Sequence, residues 1–178
     1  ADLGEWSAPQ RIPVAARPQC MTVVQDVGGT YHLVWVAEVG INEMSNTTGQ
    51  RVHHMTSRDL IYWSRPTLVP FAAPHILNAS AALLDGHLWV VVGTYDPNYG
   101  GQVKAALFSR DIGRRNTEWR QSDLPSHALS GLTAVAGDPL AGRLVLSWAM
   151  TDMKMNAERF AGPVFVMSGL PKRTNPVP

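Results

Sequence analysis

The sequence predicts an all-β protein, a β-propeller in which each chain supplies three four-stranded blades. Three observations carry that reading. A phrase built from Asp, Trp, Ser and Pro occurs three times, and its tryptophans, Trp6, Trp63 and Trp119, fall 57 and 56 residues apart. Between the copies run short apolar stretches that alternate at period two. An acidic residue or glycine turn separates the first two stretches of each repeat, and the Gly28-Gly29 and Asp85-Gly86 pairs of the first two are hairpin signals. Four antiparallel strands repeated at roughly 40 to 60 residues are what propeller blades look like in sequence.

The fullest copy of the phrase is Asp59-Leu60-Ile61-Tyr62-Trp63-Ser64-Arg65-Pro66. It is echoed by Asp2-Leu3-Gly4-Glu5-Trp6-Ser7-Ala8-Pro9 and, with an insertion at 113–116, by Ser109-Arg110-Asp111-Ile112 leading to Trp119. Its Asp or Ser is expected to hydrogen-bond backbone in the turn between strands three and four. Its Trp is expected to wedge between sheets. An apolar-Pro pair follows each copy (Ile12-Pro13, Val69-Pro70, Leu124-Pro125) and suits an outermost strand with one free edge.

First strands are expected at 20–24, 76–84 and 128–136, running into turns at 26–29, 85–86 and 138–142. Second strands follow at 30–38, 87–95 and 143–151, with Trp35, Val92 and Trp148 at matching places. Third strands follow at 52–56, 103–108 and 164–167. The expected organisation is one domain over 1–178. Residues 1–14 are an outer strand completing the last blade, 15–71 the first blade, 72–126 the second, 127–170 the third and 171–178 a tail. Three blades are too few to close a ring, since propellers close with about four to eight. A head-to-tail homodimer making a six-bladed ring is therefore expected, each chain lending its first strand to its partner.

Hydrophobic residues make up 45% of the chain and charged residues 16%, with 15 Gly and 13 Pro, the composition of a folded, turn-rich chain. The net charge of +1 gives no electrostatic case for nucleic acid or an anionic membrane as partner, and the longest apolar run, 88–93, is far short of a bilayer. The single cysteine, Cys20, excludes an internal disulfide and is expected to be a small buried residue. The opening Ala1-Asp2 reads as a chain trimmed after a small-residue cleavage site, so a secreted or periplasmic location is expected.

The phrases TSRDLIYWS and GGTYHLVWVAE resemble the blade repeats of the furanosidase-type glycoside hydrolase propellers, the arabinanases, xylosidases, invertases and levansucrases. In those a Ser-x-Asp-Leu-x-x-Trp element follows a strand with a Tyr-x-Leu-x-Trp-like pattern. The resemblance implies a propeller, and catalytic carboxylates at the beginnings of the innermost strands. Here the matching places hold Gln19, His75 to Asn78, and His127 to Ser130, with no acid among them. No catalytic residue carries over, and fold analogy alone does not give function.

In a propeller the fourth-to-first and second-to-third connections emerge on one face. That places Arg17, Gln19, His75, Asn78, His127 and Ser130 together with the loops 38–50, 95–102 and 151–160. Glu38, Asp96 and Asp152 follow the second strands at nearly equivalent places. They read as solvated loop acids, as acceptors for sugar hydroxyls helped by Tyr95, Asn98 and Tyr99, as an acid pair for glycoside hydrolysis, or as Ca²⁺ ligands. No compact run of acids supplies the oxygens Ca²⁺ wants, so no cofactor is expected beyond that option. His53 and His54 are adjacent in a strand and point to opposite faces, so they do not share a metal. The expected function is a lectin-like propeller that binds a glycan or small sugar. The alternatives are a glycoside hydrolase acting through Glu38, Asp96 or Asp152, and a protein-interaction scaffold.

Overall fold

The computed structural model describes residues 9, 11–14, 18–39, 49–73, 75–96, 102–114, 117–124, 132–149, 164–169 and 173–176. Among these residues there is no helix, and the strands form three antiparallel sheets. The first sheet runs β1 (Pro18–Gln25), β2 (Tyr31–Val39), β3 (Gly49–Ser57) and β4 (Thr67–Ala73), each paired with the next. The second takes β5 (His75–Leu84), β6 (His87–Asp96), β7 (Gln102–Asp111) and β8 (Arg120–Ser122), and the third takes β9 (Leu132–Asp138), β10 (Arg143–Ala149) and β11 (Val164–Gly169).

The strand count departs from three sheets of four. Arg173–Pro176, expected as tail, forms β12 and pairs antiparallel with β8, giving the second sheet a fifth strand and leaving the third with three. β8 has only three residues and an otherwise open edge, and an extended, proline-bearing segment suits such an edge. Residues 11–14 lie in no strand of this chain. Ile12 and Val14 pack against the face of the first sheet that carries Leu33, Trp35, Ala37 and Met55.

Side-chain alternation assigns the faces. On β2, Val34 and Val36 face the second sheet and meet Leu88, Val90 and Val92 of β6. The intervening Leu33 and Trp35 face the other way. On β6, Trp89 and Val91 meet Val135, Leu144 and Leu146 of the third sheet. β2 and β6 are thus apolar on both faces, and they read as near-continuous hydrophobic runs because each is packed on two sides. Burying one such Val or Leu side chain stabilises by about 1.5–3 kcal/mol. Leading strands lie side by side, with β5 between β1 and β9. The approach of β9 to β5 is close enough that a Cβ at Gly137 would stand 2.2 Å from the Leu83 carbonyl oxygen.

The hairpins follow their turn chemistry. Asp85 and Gly86 both have positive φ, 49° and 69°, as a two-residue turn matched to strand twist requires. The repeated phrase is likewise a turn device. Asp59 Oδ1 accepts from the backbone N–H of Ile61 (2.9 Å) and Tyr62 (2.8 Å), and Ser57 Oγ accepts from that of Leu60 (2.9 Å). Trp63 folds back over the loop, its indole N–H donating to the Leu60 carbonyl (3.1 Å), and packs on the Leu33–Trp35 face. Trp119, from the next copy, is buried between the first and second sheets.

Cys20 corrects an expectation. It is exposed, with φ 48°, because it sits in a register shift of β1 between Gln19 and Thr22. The extra residue of a bulge leaves the pleat, so alternation no longer sends its side chain inward.

Candidate functional site

Strand pairing places the expected site residues of the first two sheets at one end. Gln19 pairs with Val36, two residues before Glu38, and Glu38 itself pairs with Gln50 at the start of β3. His75 pairs with Tyr95, Asn78 with Gly93, and Asp96 with Gln102. Gln19 and His75 are exposed and Asn78 is half-buried. The two sheets are stitched together at this end, where Gln50 Oε1 accepts from the Ile76 N–H and Cys20 Sγ donates to the Leu77 carbonyl (3.3 Å). Arg17, Asn98, Tyr99, His127, Ser130 and Asp152 lie outside the described residues. The described side chains among the expected site residues, Gln19, His75 and Asn78, are two amides and an imidazole.

A second arrangement, which no sequence motif announces, lies at the opposite end of the sheets. The β1–β2 turn is closed by Asp26, whose Oδ1 accepts from the Thr30 N–H (2.8 Å), while Gly29 takes φ 79°. That turn aims Oδ2 at His32 Nε2, 3.2 Å away. His32 Nδ1 in turn shares a hydrogen bond of 3.1 Å with His54 Nε2. Register explains the meeting: His32 opposes Thr56 and His54 opposes Val34, so both imidazoles occupy the face turned to the second sheet. There the edge of Trp119 meets the His54 ring at 5.8 Å and 90°. His53 goes to the other face, as alternation requires, and stacks on Trp35 at 5.0 Å.

The electrostatics follow from burial. Burial, the His32 contact and the nearby charge of Arg110 push the pKa of His54 down to about 3, so it is neutral over the physiological range. Burial alone would raise Asp26, but the Thr30 N–H, the His32 hydrogen bond and its charge outweigh it and hold the carboxyl below its ordinary value. Asp26 therefore accepts, which puts a proton on His32 Nε2 and leaves Nδ1 to match the tautomer of His54.

These groups border a cleft of about 340 Å³ between the first and second sheets. Thr30, Thr56 and Arg65 line it from one side, and Arg110 and Arg114 from the other. Among the described residues no serine or cysteine side chain hydrogen-bonds either imidazole. No group of three or more His, Cys, Asp or Glu among the described residues could hold a metal ion.

The sequence signal for this arrangement was weak. Asp26 reads as a turn residue and His32 as one position in an apolar strand, and only the β2–β3 register joins His32 to His54.

No protein-family model and no curated protein matches this chain. Among solved structures, the chain is similar to an α-L-arabinanase of Penicillium chrysogenum complexed with arabinobiose. The identity is 12% and the TM-score 0.46, over 74% of this chain and 39% of that one. At that identity no residue role passes from the arabinanase to this chain.

Proposed function

We propose that the three sheets are consecutive blades of a β-propeller, and that the strand ends carrying Gln19, Glu38, His75, Asn78, Tyr95 and Asp96 form a carbohydrate-binding face. The observation that carries this reading is the side-by-side placement of the leading strands β1, β5 and β9, with each sheet stacked on the next through an apolar face. Such stacking turns equivalent strand ends the same way, so the exposed Gln19 and His75 border one opening. Amides and imidazoles there donate and accept to sugar hydroxyls, carboxylates accept, and Tyr95 supplies a phenol. Asn98, Tyr99, His127, Ser130 and Asp152 belong to the same proposed face.

The ring is completed by a second copy of the chain. Ala134 and Ala136 of β9 are exposed on the face of the third sheet turned away from the second, the face that corresponds to the one the first sheet turns toward the second. The first sheet presents bulky Leu33, Trp35 and Met55 on its far side, already covered in part by Ile12 and Val14. A small-residue face and a bulky one are the two halves of a sheet-on-sheet contact.

Glycan-array binding without release of reducing sugar is the expected result, weakened by Asp96→Asn. A light-scattering mass of twice the single-chain 19.4 kDa is expected for the ring. Absence of binding to every sugar on the array overturns the carbohydrate reading. Release of reducing sugar that is lost in Asp96→Asn replaces it with the hydrolase reading, and a single-chain mass overturns the two-chain ring.

A further inference from the structure

We propose that the cleft between the first and second sheets, at the end away from the carbohydrate-binding face, binds a small ligand carrying one oxyanionic group, with Arg65 and Arg110 as its clamp. The proposal stands apart from the carbohydrate reading, because it uses other residues at the other end of the sheets.

Charge bookkeeping at the cleft carries it. Asp26 is committed to His32 and the Thr30 N–H. Asp111 is committed to Arg114 (3.5 Å) and to the Gly113 N–H (2.9 Å). Arg65 and Arg110 line the same cleft from different sheets, and among the described residues neither has a carboxylate within ion-pair distance. Arg110 is nonetheless held in place. Its Nε donates to Thr117 Oγ1 (3.4 Å), and its guanidinium carbon lies 6.0 Å from the centre of the Trp119 ring. Neither contact neutralises it. With the lining carboxylates Asp26 and Asp111 already engaged, an oxyanion in the cleft would accept charge-assisted hydrogen bonds from both guanidinium groups. The half-buried Thr30 brings a hydroxyl to the same wall.

The volume of about 340 Å³ is at the lower end of small-molecule sites and exceeds what a bare ion fills. The ligand class is therefore a carboxylate or phosphate on a body about the size of one sugar ring. Both groups present the two-oxygen edge that an arginine fork reads.

The test uses the full chain at constant ionic strength, with thermal unfolding followed against inorganic phosphate, acetate and glucuronate, and sodium chloride as the baseline. A saturable rise in Tm with at least one oxyanion is expected. Arg65→Gln and Arg110→Gln should each weaken the apparent affinity about tenfold or more. Arg143→Gln, exposed on β10, should leave it unchanged. A larger response to phosphate assigns a phosphate ligand, and a larger response to acetate or glucuronate a carboxylate. No saturable shift beyond chloride, or a shift retained in Arg65→Gln, overturns the proposal. Arg65 is exposed and its side chain has no hydrogen-bond or ion-pair partner among the described residues, so that variant decides even if Arg110→Gln does not fold.

Discussion

Replacing His54 by glutamine should remove a specific acid sensitivity from this protein. His54 is 5% exposed and bonded to His32, and its pKa falls from 6.5 to about 3 on folding. A depressed histidine favours the unfolded chain whenever that chain binds the proton and the native one does not. The contribution is therefore absent above pH 6.5 and grows as pH falls toward the folded pKa, at about 1.4 kcal/mol per pH unit. By pH 4.5 the wild-type protein should have lost roughly 3 kcal/mol through this group alone. The figure hardly depends on where below 4 the folded pKa lies. Asp26 and Asp59, held below their ordinary 3.8, keep their full contribution above pH 4 and add no slope in this window. His53 is also lowered by burial, but it is more open to solvent and adds a smaller slope of the same sign.

Glutamine keeps a donor and an acceptor near His32 Nδ1 and does not titrate. His54→Gln should therefore be less stable than wild type at pH 7.5, by about 1–2 kcal/mol from lost ring packing against Trp119. Its stability should then stay nearly flat down to pH 4.5, so the two curves converge. Urea unfolding monitored by tryptophan fluorescence at pH 7.5, 6.5, 5.5 and 4.5 measures both. Equal slopes for the variant and the wild type would refute the assignment of His54 as a buried neutral imidazole.

Three further substitutions test the fold. Gly137→Ala should destabilise by more than about 2 kcal/mol in chemical denaturation, because its Cβ would meet the Leu83 backbone and force β9 away from β5. Gly86→Ala, with nothing within 4 Å but φ 69°, should cost only the left-handed strain of about 1–2 kcal/mol, and a larger loss than Gly137→Ala would contradict the packing described. Asp59→Ala should lower Tm more than Arg58→Ala does, since only Asp59 organises the turn through the Ile61 and Tyr62 N–H groups. That difference should shrink below pH 3.8, where the unfolded carboxyl takes up its proton and the turn bonds are progressively lost.

Much of the strand plan was legible in the residues. All nine expected first, second and third strands are present within a few residues, because period-two alternation and Asp-Gly or Gly-Gly turns are local signals. The phrase around Asp59 and Trp63 was legible as a turn for the same reason, since each bond that organises it closes within a few residues. Residues 173–176 were not, because joining β8 satisfies an edge about fifty residues back, and nothing in the run Arg173-Thr174-Asn175-Pro176 announces that edge. Cys20 misled because alternation assumes an unbroken pleat, and the bulge beside it breaks the count.

By itself, then, the amino-acid order determined where the first three strands of each repeat run, where they turn and, wherever the pleat is unbroken, which positions share a face, all of which follow from contacts between near neighbours in the chain. The tertiary structure alone decided that Asp26, His32 and His54 form one hydrogen-bonded line, and that Arg65 and Arg110 look into one cleft from separate sheets. Those meetings depend on interstrand register and on how one sheet lies against the next, and both are set by packing over long sequence separations that no local pattern encodes.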